Sequence, residues 1–202
     1  ANTLVGGQAG DALSTGGSNV AIGYQALTTE DGHSFNTAVG TQALRDFNAG
    51  ADGYTTAVGW QAGIKITTGL RNNLFGAGSG DELLTGTDNT ALDGFALSSD
   101  TDGSRSVAVG TSALNAQNFT SATDANNTAV GFQAGKAITT GEQNVFIGAN
   151  SGLVCTDTDH NTFVGFNTGS LNTTGFRNTF IGKDSGDAMT TGDKNVIIGS
   201  YS

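Results

Sequence analysis

The sequence predicts an all-β protein: a parallel β-roll or β-solenoid of twelve 17-residue coils, forming one repeat domain over residues 1–202. Three observations predict it. A phrase clearest at Asn127–Gly135 (N-T-A-V-G-F-Q-A-G) begins at Asn2, Asn19, Asn36, Thr55, Asn72, Asn89, Ser106, Asn127, Asn144, Asn161, Asn178 and Asn195. Nine of the eleven steps between copies are 17 residues, and a fixed period of this kind marks a stacked-repeat architecture. Seventeen residues are too few for a helix pair, no helical apolar period is visible, and β-branched residues, Gly and Asn dominate. Short strands separated by turns remain.

With each coil numbered from its Asn as position 1, the elements follow in order. Positions 1–4 read as a short strand. Position 5 is Gly in eleven coils and Asp93 in the other; it reads as a turn with φ > 0, which Gly accepts freely and Asp better than most. Positions 6–9 are expected to form a second short strand, and the T-G or T-T-G that precedes many copies the return turn. Asn at position 1 of successive coils is expected to form a ladder of stacked amides. Stacked coils are spaced about 4.8 Å apart, so eleven steps make a rod of about 50 Å.

Positions 3 and 4 are apolar in all twelve coils, although neighbouring strand residues face opposite ways. Position 4, with position 2, is expected to fill the interior. Position 3 then faces outward and needs a cover, most simply another copy of the rod. On that reading Phe146, Phe163, Phe180 and Ile197 line an oligomer interface. Two coils are longer, around Arg45–Tyr54 and Asn115–Asn126, where insertion into surface loops is tolerated.

Composition excludes several classes. With 32 glycines and no proline, the chain lacks the G-X-Y period of collagen. Eight basic against eighteen acidic residues make no basic stripe for nucleic acid and disfavour anionic membranes. No apolar run is long enough for a membrane span, and the single Cys155 excludes an intrachain disulfide. The chain opens and closes inside a repeat, which reads as a segment of a longer fibrous protein.

The phrases Asn19–Gly23 (N-V-A-I-G), Ser106–Gly110 (S-V-A-V-G) and Asn127–Gly131 (N-T-A-V-G) resemble the head repeats of trimeric autotransporter adhesins and similar phage tail-fibre repeats. The resemblance spans the whole chain, with a longer period and no neck motif or coiled-coil stalk. It implies a left-handed roll, assembled as a homotrimer, in an extracellular, cell-surface or virion location.

Sites for chemistry are few. His33 and His160 are about seven coils apart and cannot share a centre within one chain. Asp100–Gly103 (D-T-D-G) and Asp157–His160 (D-T-D-H) are fragments of the oxygen pattern that suits calcium, but turn aspartates need no metal, and no cofactor is expected. No pair of carboxylates stands out for a glycosidase, so no enzyme is expected. Aromatics at position 6 (Tyr24, Trp60, Phe132, Phe166) and in the insertions (Phe47, Tyr54, Phe119) are the candidates for stacking on a sugar or binding a receptor. The Thr row at position 2 suggests an ice-binding surface, which its assignment to the interior disfavours. The function expected is a structural fibre or head segment with recognition on lateral loops. The alternative is a single-chain solenoid polymerising end to end into an extracellular filament.

Overall fold

A computed structural model describes residues 1–202. The chain winds into a β-solenoid without helices. Each coil contributes one three-residue strand at positions 2–4, from Thr3–Val5 to Val196–Ile198. These form a single twelve-stranded parallel sheet in chain order. The register never slips: position 2 pairs with position 2 through both insertions, as in Thr37↔Thr56 and Val107↔Thr128.

Positions 6–9 are turns rather than the expected second strand. The cause is conformational: positions 7 and 9 have φ near +55° in most coils, as at Gln25 (54°) and Leu27 (50°), and left-handed residues cannot continue a strand. Stacking persists without strands there. Of 121 backbone hydrogen bonds, 98 are not between two strand residues, and many run from coil to coil around the perimeter, such as Leu27 N–H to Ala43 O at 3.0 Å. The second insertion adds a two-stranded parallel patch, Gly103–Ser104 with Thr123–Asp124.

The expected faces are reversed. Position 3 points into the coil: Ala21, Ala38, Leu74, Phe146, Phe163 and Phe180 are fully buried within one chain, and Ile197 is partly buried against the same core. Phe146, Phe163, Phe180 and Ile197 are therefore interior residues and not an oligomer interface. Positions 2 and 4 face outward, half-buried to exposed. Period-two alternation puts positions 1 and 3 on one face, and position 1 is the buried Asn rank, so position 3 goes inside with it.

The Asn ladder forms, with a different partner from the one expected. Asn161 Nδ2 donates to Gly175 O (2.9 Å) and its Oδ1 accepts from the Asn178 backbone N–H (2.9 Å). Most amides of the rank thus tie the corner of their own coil to the next coil's backbone, Asn36 Nδ2 being the buried exception without a partner; direct amide-to-amide bonds are fewer, as from Asn144 to Asn127 (3.2 Å). Glycine at position 5 has φ between 123° and 145°, and Asp93 follows at 95°. A Cβ there would lie 2.2–2.7 Å from the next coil's backbone in most coils.

The interior is filled by a reciprocal exchange between positions 3 and 9. All four leucines at position 9 (Leu27, Leu44, Leu97, Leu114) share a coil with Ala at position 3. Where position 3 is Leu or Phe, position 9 of that coil is Gly: Leu4 with Gly10, Leu74 with Gly80, Phe146 with Gly152, Phe163 with Gly169, Phe180 with Gly186. A Cβ on Gly169 would stand 2.5 Å from the Phe163 ring. Gly63 and Gly135 sit in coils with Ala, and there Leu74 and Phe146 of the following coil reach back into the space. The exchange leaves no coil with large side chains at both positions, and position 12 adds further core residues such as Phe47, Ile66, Leu83 and Ile138.

Candidate functional site

Three surfaces and three carboxylate corners hold the candidate residues. The first surface is the outward face of the sheet. Its two ranks are Thr, Val or Asn73 at position 2 and Val, Ile, Leu92 or Phe75 at position 4. None of these 24 positions is charged, in a chain with eight basic and eighteen acidic residues. Charges lie on the other walls, where they pair from coil to coil: Lys65 with Glu82 (2.6 Å), Arg71 with Asp88 (2.6 Å) and Arg105 with Asp124 (2.5 Å). Such exposed pairs contribute little stability, so their value lies in keeping those walls wet.

The second surface is the edge just beyond the glycine corner. Tyr24, Trp60, Phe132 and Phe166 are all exposed there. Two further exposed aromatics, Phe95 and Tyr201, stand at position 7; reading position 6 alone misses them. A row of amides runs beside these rings. Gln25 donates to Gln8 (2.9 Å), Gln42 to Gln25 (3.1 Å) and Gln61 to Gln42 (2.8 Å). Column-wise reading of position 7, where Gln recurs, is the signal that finds this ladder.

The third surface is the pair of insertions, and here the expectation is corrected. Phe47 is fully buried and Phe119 is 5% exposed, so neither can stack on a ligand. Both are core residues. Phe47 occupies interior position 12, beneath Gly53, whose Cβ would meet the ring at 2.7 Å. Phe119 is held by its backbone: its N–H donates to Asp100 Oδ1 (3.0 Å) and its carbonyl accepts from Thr101 Oγ1 (2.7 Å). Tyr54 remains exposed, stacked on Phe35 with centroids 5.0 Å apart.

The calcium-like fragments serve as structural clamps. Asp100 points inward, accepting from Gly103 N–H (3.2 Å), Phe119 N–H and Gln117 Nε2 (2.6 Å); burial raises its carboxyl above the usual carboxylate range. Asp157 accepts from Thr139 and Thr140 across a coil boundary, which holds its carboxyl below that range. Glu30, Asp31 and His33 form one corner cluster unnoticed in the sequence. Glu30 Oε1 accepts from the Gly32 and His33 N–H groups (3.2 and 2.9 Å) and contacts His33 Nδ1 (2.9 Å), which closes the turn. Cys155 is buried, and burial pushes its thiol up to about 12, so it stays neutral and unreactive.

No protein-family profile, characterised protein or solved structure matches the chain, and no helix is long and apolar enough to cross a membrane. The functional reading therefore rests on these surfaces.

Proposed function

We propose that the chain is a rigid structural segment of a homotrimeric surface fibre, an adhesin head or a phage tail fibre, with recognition carried laterally. On this reading the rod is left-handed and lies at a cell surface or on a virion, outside the cell, and it catalyses nothing. The outward sheet face carries the proposal. It is uncharged at every coil and covers about 500 Å² in projection, three residues wide and twelve strands long. Sixteen of its 24 positions are Val, Ile, Leu or Phe, and its size is that of the largest patches monomers expose, which often mark interaction sites. Three copies packed about an axis would cover it and leave the charged walls and the aromatic edge outside.

The test is native mass. Three chains per particle are expected. Val130→Lys with Val164→Lys, which places charges on the face and not in the core, should yield folded monomers with an unchanged circular dichroism spectrum. A wild-type monomer at every concentration would overturn the reading, and a polymer that grows with concentration would favour end-to-end stacking.

One observation favours a second reading of the same face. Seven coils carry Thr at position 2, and this rank points outward rather than into the core. Regularly spaced hydroxyls on a flat wall suit ordered water or ice. A monomer showing thermal hysteresis would select that reading.

A further inference from the structure

The exposed aromatics of the corner edge follow a period of their own. Tyr24 lies in the second coil, Trp60 in the fourth, Phe95 in the sixth, Phe132 in the eighth, Phe166 in the tenth and Tyr201 in the twelfth. Every even coil carries one aromatic at position 6 or 7, and no odd coil does. The odd coils hold Gly7 and Gln8, Thr41 and Gln42, Ala77 and Gly78, Thr111 and Ser112, Ala149 and Asn150, Lys183 and Asp184. The six rings are between 47% and 73% exposed, so the alternation is not imposed by the core. Two coils span about 9.6 Å.

Two of the six rings lie over glycine, and the last, Tyr201, carries Lys183 Nζ 4.3 Å above its centroid. A Cβ on Gly78 would meet the Phe95 ring at 2.9 Å, and one on Gly7 would meet Tyr24 at 3.5 Å. Each of these rings leans over the glycine of the preceding odd coil and leaves a face to solvent. Beside them run the amides of Gln25, Gln61, Gln133 and Asn167, which offer both donors and acceptors.

We propose that this edge binds an extended, uncharged chain of β-1,4-linked hexopyranoses along the rod, one ring face on each aromatic. In such a chain successive rings are turned over, so the same apolar face recurs every second ring, at nearly the two-coil interval. Aromatic faces supply stacking, and the interleaved amides meet equatorial hydroxyls. The net charge of −10 disfavours anionic polysaccharides. α-Linked chains curve and lose the linear match. The inference deepens the recognition part of the proposed function and rests on it; the mass of the particle is independent of it.

The experiment is calorimetric titration with cellohexaose and chitohexaose, with maltohexaose as the α-linked comparison, and native mass recorded in parallel. Wild type should bind at least one of the two β-linked chains and bind maltohexaose more weakly. Replacing Trp60, Phe132 and Phe166 by Ala should weaken binding about tenfold or more with the particle mass unchanged. A stepped variant combines Thr41→Trp with Trp60→Ala and Ala149→Phe with Phe166→Ala. It keeps the number of rings, leaves the two-coil interval only between Phe95 and Phe132, and should bind as poorly as the triple alanine variant. Three results would overturn the inference: no binding of either β-linked chain by wild type, full binding by the stepped variant, or loss of oligomers in the triple variant, which would put the rings between subunits. A wild-type monomer that still binds would sink the trimer and leave the ligand site standing.

Discussion

At the residue scale, the interior works by complementarity between two columns. Phe163 lies between Phe146 (5.6 Å) and Phe180 (4.7 Å) and fills the space that Gly169 leaves open. Phe163→Ala is expected to cost about 3–5 kcal/mol in urea unfolding. Gly169→Leu alone should also destabilise, because its side chain would enter the phenylalanine ring. The double variant recreates the Ala21 and Leu27 arrangement, and Leu27 shows that leucine is accepted there at φ 50°. It should therefore be more stable than the sum of the single effects predicts, and simple additivity would refute the exchange. This pattern was open to sequence reading. Positions 3 and 9 were each legible as ranks, but only their correlation, coil by coil, says that they face one another. Without it, position 3 looked like a surface in need of a cover.

At the scale of one coil, the seventh is the informative exception, since it begins with Ser106 in place of Asn. A serine hydroxyl cannot reach where the amide did. Gln117, inward at position 12, supplies what is missing: its Nε2 donates to Asp100 Oδ2 (2.6 Å) and Ser106 Oγ (3.0 Å), and its Oε1 accepts from Asn127 Nδ2 (2.9 Å). Apolar residues such as Leu83 and Ile138 hold the same position in other coils. Hydrophobicity alone would make Gln117→Leu stabilising. The network predicts the opposite sign, a loss of about 1–3 kcal/mol or more, because buried polar partners are left unpaired; a gain in melting temperature would refute it. The insertions were legible as added length, but not as core. Phe47, Gln117 and Phe119 look like loop residues in sequence because they fall within the added lengths, beyond the nine-residue phrase; only alignment of position 12 across coils, with Leu83 and Ile138, marks Phe47 and Gln117 as inward.

At the scale of the whole molecule, the repeat period alone carried the architecture: twelve coils, one parallel sheet, no slippage. The orientation of the walls was not legible, because an apolar residue at both positions 3 and 4 satisfies either assignment. The buried Asn rank decides it. With position 3 self-covered, the uncharged T/V and V/I wall is the face across which copies of the chain are proposed to meet. Oxidative cross-linking of Val130→Cys tests this most directly. Cys155 stays out of the reaction, since burial pushes its thiol up to about 12 and keeps it neutral at the mildly alkaline pH used. Val130→Cys should give covalent dimers on oxidation and label slowly with a thiol reagent. Lys65→Cys, on a charged wall, should stay monomeric on denaturing gels and label fast. Equal labelling of the two cysteines, with no covalent dimer from Val130→Cys, would contradict the claim.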